Sequence, residues 1–166
     1  KESYFRRIMA LVPSALQGGL QPLNAPMVSG ALSAQTIMLA FQSYALGVQN
    51  MMGLPFIAMP AFSAGLSSLQ SAMSAPVPAG AIAAMNVATA INTAWSSVQT
   101  TFQTGPVVAN LASLQSALNG VFAAPVPAGS LFIMGLTNAI HTYCATTVIT
   151  GVIPGVPPVP FSGPPI

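Results

Sequence analysis

The amino-acid sequence predicts an all-α fold made of three helical-hairpin repeats of about 50 residues, followed by an extended, proline-rich C-terminal tail. Three observations lead to this prediction. Sequence blocks recur within the chain, proline–glycine turns divide each block into two segments, and apolar residues in those segments follow the three-and-four spacing of a helix face.

The recurring blocks are clearest in the second and third parts of the chain. LSSLQSAM at 66–73 recurs as LASLQSAL at 111–118, and APVPAG at 75–80 recurs at 124–129. A fainter copy, APMVSG at 25–30, lies upstream. The offset between copies grows by about one helical turn, which keeps a helix in phase. We therefore expect a helical domain over 1–147, with repeats at about 5–52, 53–104 and 105–147.

Proline and glycine mark the turn inside each repeat. A residue that precedes proline is pushed out of the α region, whereas proline itself suits the first turn of a following helix. The predicted turn residues are Pro26 and Gly30, then Pro76, Pro78 and Gly80, then Pro125, Pro127 and Gly129. Further turns are expected at Gly18–Gly19, Gly53 and Gly105. Long helices are predicted near 29–49, 79–102 and 128–148, and shorter ones near 5–17, 60–74 and 106–121.

The tail over 148–166 differs from the helical body. It contains six prolines and no helical period, which predicts an extended, polyproline-like segment. A free linker is usually polar, but here proline alternates with valine, isoleucine and phenylalanine. We expect the tail to lie in a groove on a neighbouring subunit through Val156, Val159 and Phe161. The alternative is a flexible tail.

Charge is confined to the start of the chain. The only charged side chains are those of Lys1, Glu2, Arg6 and Arg7, so 2% of the residues are charged. Ordinary soluble domains are about one quarter charged, because ionic groups keep the surface hydrated and limit self-association. The sequence therefore predicts a surface hidden against other protein subunits or in lipid. Four side chains at one end form no basic face, so no sequence-specific nucleic-acid binding is expected.

The inventory of reactive groups is small. Glu2 is the only carboxylate side chain, which excludes paired-carboxylate catalysis and carboxylate metal sites. His141 and Cys144 lie three residues apart on one predicted helix and are the only pair with possible reactivity. Two ligands do not make a zinc site, and no acidic residue can orient the imidazole. We expect no catalytic residue, metal, cofactor or small-molecule substrate.

The sequence leaves open two environments for a surface without charge, a large protein assembly and a membrane. Each long helix has about 20 uncharged residues, close to the length that spans a bilayer. The 79–102 segment is rich in asparagine, serine and threonine, however, and no later lysine or arginine would set a topology. We favour a homo-oligomer or a complex with other structural subunits. A membrane-inserting or pore-forming helical protein is the alternative, and membrane contact during function would join the two.

The end of the chain also resembles a known class of proteins. The charge-free helical body, with AIHTY at 139–143 running into VITGVIPGVPPVPFSG at 148–163, resembles small virion proteins of tailed bacteriophages from tail, baseplate or neck assemblies. The resemblance covers about the last thirty residues and, over the rest of the chain, only the charge-free helical character. It implies a noncatalytic structural subunit located in the virion, and it supplies no functional residues. The alternative location, which follows from the uncharged helices, is a membrane.

Overall fold

The computed structural model of the protein describes residues 11–25, 30–57, 60–74, 80–123 and 129–166. It is 63% helical, with two small antiparallel sheets. The all-α prediction is therefore right for the bulk of the chain and wrong in leaving out the strands. The helices are α1 Pro13–Leu20, α2 Gly30–Ala45, α3 Pro60–Ser74, α4 Gly80–Ser96, α5 Leu111–Ala123 and α6 Gly129–Ala145, with a 3₁₀-helix at Gln21–Asn24.

The helix boundaries follow local chemistry. Pro13 and Pro60 open α1 and α3, where a missing N–H loses no intrahelical hydrogen bond. The predicted long helices near 29–49, 79–102 and 128–148 stop three to six residues early, at residues 45, 96 and 145. The hydroxyls of Ser97 and Thr147 donate to carbonyls three residues back, 2.7 Å in each case. Such side-chain bonds compete with helix continuation, and the following backbone pairs in strands instead.

Two other predicted features of the first helix differ from the structure. The helix expected near 5–17 begins at Pro13 and runs to Leu20, and residues 1–10 lie outside the described part of the chain. Gly18 and Gly19, expected at a turn, lie inside α1. A Cβ at Gly19 would stand 2.8 Å from the Cβ of Ala40, so this glycine lets α1 approach α2 closely.

The six described helices form a closed bundle. Each packs against the next along the chain, and α6 returns to pack against α1 and the 3₁₀-helix. The bundle encloses one apolar core to which every helix contributes. Full burial of one large apolar side chain in this core stabilises the fold by about 1.5–3 kcal/mol. The largest fully buried side chains are Trp95, Phe41, Leu16, Leu20, Ile37, Leu69, Ile91, Leu114, Leu118, Ile133, Leu136 and Ile140.

One end of the bundle is covered by what we call the β cap, the segments 48–57, 98–108 and 147–166. Strand β1 Phe56–Ile57 pairs with β2 Gln99–Thr100, and β3 Ile149–Ile153 pairs with β4 Val159–Gly163. Further backbone bonds join Thr104 N to Thr150 O at 3.0 Å and Gln49 to Ile166 in both directions at 2.9 Å. Since the three segments follow α2, α4 and α6, the C-terminal ends of these helices lie together.

The proline-rich tail is a β-hairpin packed on its own chain rather than a polyproline-like extension. Val152 N donates to Phe102 O, so the backbone groups of residue 152 point away from β4. Residue 152 lies opposite Pro160, whose backbone therefore points to the outer edge of the hairpin. A proline there removes no ladder hydrogen bond, which explains how a proline-rich sequence forms a strand.

Candidate functional site

The pair expected to be the most reactive in the chain, His141 and Cys144, lies among polar side chains of the long helices. Tyr44 Oη and His141 Nδ1 are 2.7 Å apart, which links α2 to α6. The hydroxyl of Tyr143 donates to Asn92 Oδ1 at 2.6 Å, which links α6 to α4. Within the described residues, no hydrogen bond joins His141 to Cys144. Although both residues lie on α6, the imidazole of His141 contacts Tyr44, whereas the side chain of Cys144 packs in the apolar core.

Burial keeps this cluster neutral at pH 7. Desolvation raises the pKa of the Cys144 thiol, which is fully buried, and lowers the pKa of the His141 imidazole. The pKa values of Tyr44 and Tyr143 are raised by burial first and by the nearby Cys144 second. A protonated, inaccessible thiol is a poor nucleophile and a poor metal ligand. The described ranges also contain no group of three histidine, cysteine or acidic residues that could hold a metal ion.

Buried polar side chains of the β cap have structural partners. The Gln103 amide donates to Val98 O at 3.1 Å and Gly105 O at 2.6 Å, while its Oε1 accepts from Thr100 N at 2.8 Å. Asn50 accepts from two backbone N–H groups of the turn that follows it. Sequence reasoning did not identify either residue. Their only sequence signal is an amide side chain shortly after a helix, which is too common to single them out.

The described surface exposes many large apolar side chains. The exposed residues are Val12, Leu32, Leu39, Leu46, Met51, Met52, Ile57, Ile82, Met85, Phe102, Val108, Leu131, Met134, Val148, Val152, Val156 and Val159. Four of these lie in the β cap, where they form two backbone-paired contacts. Val108 pairs with Val148, and Val152 donates its N–H to the carbonyl of Phe102. Phe102 has φ 62°, a left-handed conformation that is uncommon for a bulky residue.

Two open cavities mark the described surface, and both have neutral walls. The larger, about 620 Å³, lies against α3, α4 and α5 and is called the α4 groove below. It is lined by Ser68, Ala72, Met85, Asn86, Thr89, Ala90, Thr93 and Gln115. The smaller, about 350 Å³, lies beside the β cap and is lined by Ala61, Ser96, Ser97, Val98, Gln99, Gln103, Thr104, Gly105 and Pro106.

The predicted turn and tail residues fall in different places. Gly30, Gly80 and Gly129 are the first residues of α2, α4 and α6. The predicted turn prolines lie outside the described residues, namely Pro26, Pro76, Pro78, Pro125 and Pro127.

In the tail, Phe161 is buried over Gly151, where an added Cβ would meet its ring. Val159 is half exposed, and Val156 is fully exposed. Docking of the tail on a neighbouring subunit stays a prediction.

Among the described helices, none combines the length and the apolar character needed to cross a bilayer. No protein-family model, curated protein or solved structure matches the chain.

Proposed function

We propose that this protein is a noncatalytic structural subunit held inside a large protein assembly. The observation that carries the proposal is a described surface that exposes large apolar side chains and bears no charged ones, since every charged side chain of the sequence precedes residue 8. Single exposed apolar residues are ordinary in soluble proteins. Their combination with a charge-free surface is not, and the cores of protein interfaces are depleted of charge in the same way.

The outer side of the β cap supports the same proposal. Two pairs of exposed apolar residues lie side by side there through backbone pairing, Val108 with Val148 and Phe102 with Val152. Exposed apolar side chains that adjoin one another are typical of protein–protein contact sites. We propose a tailed-bacteriophage particle as this assembly, in its tail, baseplate or neck, and the resemblance of the chain to small virion proteins supports that choice.

The noncatalytic part of the proposal rests on the chemistry of the cluster around His141. Cys144 is buried and its thiol pKa is raised, and the sequence has no carboxylate side chain beyond Glu2. Catalysis by an activated nucleophile needs an exposed group beside a base. Within the described residues, the tyrosine hydroxyls and the imidazole instead pair with one another and with Asn92. The cluster therefore acts as a set of cross-links between helices.

We also propose that the three helical hairpins are repeats of one ancestral unit. Seven buried positions of α2 and its following segment recur as buried positions 50 and 99 residues later. The sets are Ala34, Ala84 and Ile133; Ile37, Val87 and Leu136; Ala40, Ala90 and Ala139; Phe41, Ile91 and Ile140; Tyr44, Ala94 and Tyr143; Ala45, Trp95 and Cys144; and Val48, Val98 and Thr147.

The polar cross-links support the repeat proposal independently of burial. Tyr44 and Tyr143 are equivalent positions, and so are their partners His141 and Asn92. Each tyrosine bonds to the long helix of the preceding hairpin if the order is taken as cyclic. The third tyrosine position is Ala94, which has no hydroxyl to donate. Repeats that bury their faces on one another in this way are typical of duplicated units.

Fractionation of the native source tests the proposed function. The source is lysed without detergent, particles are separated from membranes on a density gradient, and the chain is located by peptide mass spectrometry. We expect it in a defined sedimenting particle that resists mild detergent. Recovery in the membrane band with release only by detergent would contradict the proposal in favour of a bilayer protein, and recovery as a free monomer would contradict both.

A further inference from the structure

The outer edge of β4 is the longest strand edge left open in the described part of the chain. β3 and β4 pair with each other over five residues, whereas β1 and β2 have two residues each. The far side of β3 is bonded to the segment 102–108, and no described strand pairs with the far side of β4. An open edge presents unpaired backbone groups to which a strand of another chain can add.

The register of the hairpin shows which residues of β4 form this edge. The two β3 residues that bond away from β4 are paired with Pro160 and Ser162, which therefore direct their backbone groups outward. The alternation along an extended segment places Pro164 and Ile166 on the same side. Ile166 agrees with this placement, because its N–H and its carbonyl bond to Gln49 at 2.9 Å.

Proline occupies two of the three outward positions that precede Ile166. Pro160 and Pro164 have no N–H, so Ser162 supplies the one outward donor over residues 160–164. That N–H has no backbone partner within the described residues. The inward positions 159, 161 and 163 need their N–H groups for the ladder with β3, and none of them is proline. Within β4, proline is therefore confined to the outer side.

A strand added to this edge would lose hydrogen bonds at both prolines. In an ordinary antiparallel ladder, each residue that faces the neighbouring strand exchanges an N–H and a carbonyl with it. Opposite Pro160 and Pro164, a carbonyl of the added strand would find no donor, and a backbone carbonyl left unpaired in an interface is costly. Natural sheets use proline on edges for this reason.

The composition of the chain explains why proline is needed at this edge. Charged side chains, lysine above all, are a common protection of strand edges, but this chain has no charged residue after Arg7. The hairpin also exposes apolar side chains, with Val152 38% and Val159 50% exposed. Uncharged apolar segments without proline are the ones that stack into intermolecular sheets. The edge of β4 therefore needs a protection that carries no charge.

We propose that Pro160 and Pro164 block strand addition to β4 and so prevent copies of this chain from joining edge to edge. This role goes beyond the proposed function and does not depend on it. It limits how the chain can associate, because the backbone groups of its longest open edge are withheld from partners. Contacts in an assembly then form through side chains instead of through a continuous intermolecular sheet.

Threonine substitutions at the two prolines test the proposal in the full chain. Both prolines are exposed, and threonine restores the N–H, suits a strand and adds no large apolar group. The double variant with Pro160→Thr and Pro164→Thr should self-associate about tenfold more tightly than the wild type, since each contact gains two backbone hydrogen bonds. Sedimentation velocity over a concentration series measures this. In the associated variant, the N–H of Ser162 should become protected from hydrogen exchange.

Two controls separate the restored donors from other effects of the substitutions. Pro154→Thr adds the same N–H in the exposed loop of the hairpin, outside the strand ladder. A double variant with Pro160→Lys and Pro164→Lys restores both N–H groups together with charges that repel a second copy. Both controls should associate like the wild type. All variants should keep the wild-type circular dichroism spectrum at low concentration.

Either of two results would overturn the proposal. One is a folded threonine double variant, or a lysine variant as strongly associated as it, that shows the restored donors do not decide association. The other needs no variant: in the wild type, the N–H of Ser162 should exchange far faster than that of Phe161, and equal protection would show that the edge is already paired. A chain absent from every particle would end the proposed function and leave this inference intact.

Discussion

Substitution of Gly65 tests how closely α3 packs on α4. Gly65 is buried in the middle of α3, and a Cβ added there would stand 2.5 Å from the Cα of Ala94 in α4. Real Cβ atoms do not approach backbone so closely, so Gly65→Ala must push the two helices apart. Gly120, in α5, is a matched control, because it is exposed and a Cβ there would meet nothing within 4 Å.

The magnitude follows from two opposing terms. Alanine is favoured over glycine in a helix by about 0.8–1 kcal/mol, and this gain applies to both positions. Overpacking a well-packed core costs about 1–3 kcal/mol. We therefore expect Gly120→Ala to raise the free energy of unfolding by nearly 1 kcal/mol and Gly65→Ala to fall about 1–3 kcal/mol below it.

Urea unfolding followed by far-ultraviolet circular dichroism measures this difference, at a protein concentration low enough to keep the chains monomeric. The two variants should differ in unfolding midpoint and share the same denaturant dependence, which would show that stability and not compactness has changed. If Gly65→Ala were as stable as Gly120→Ala, the close approach of α3 to α4 would be wrong.

Three other predictions concern single side chains. Thr137 is 3% exposed and its hydroxyl is buried without a hydrogen-bond partner within the described residues, so Thr137→Val should raise the free energy of unfolding by about 1 kcal/mol in the same urea assay, and a loss would contradict this. Burial lowers the pKa of His141 below 6.5 in the folded state, so the unfolded chain binds more protons and stability should decline as the pH falls below about 6.5; His141→Asn, matching Asn92, should flatten that decline in urea titrations across pH. The buried Cys144, whose thiol pKa is raised, should react with a thiol reagent at pH 8 only after denaturant is added, and rapid labelling of the native chain would refute its burial.

Local sequence signals accounted for most of the helices. Helix α3 matches the predicted 60–74, and Gly30, Gly80 and Gly129 begin the three long helices at the motif positions expected to mark turns. These features depend on prolines, glycines and the spacing of apolar residues that lie within about one helical turn of the feature they specify. They were predictable because the residues responsible lie next to the structure they specify.

The β cap and the candidate contact surfaces could not be predicted in this way. Strands β1 and β2 have two residues each, too few to show an alternating pattern, and they pair across more than 40 residues of chain. A turn was expected at Gly18–Gly19, whereas Gly19 lies inside α1 and lets this helix approach Ala40 of α2. The α4 groove is lined by side chains of three helices, and a pattern within one helix cannot predict which side chains of other helices will lie beside it.

The sequence by itself determined the helical character of the chain, the glycines at which its three long helices begin, and a surface without charge beyond the first seven residues. These follow from composition and from interactions between neighbours along the chain. Only the tertiary structure decided that α6 closes on α1, that the tail folds back as a hairpin, that Cys144 is buried and that Val156 is exposed. Each depends on contacts between residues far apart in sequence, whose partners are chosen when the helices pack.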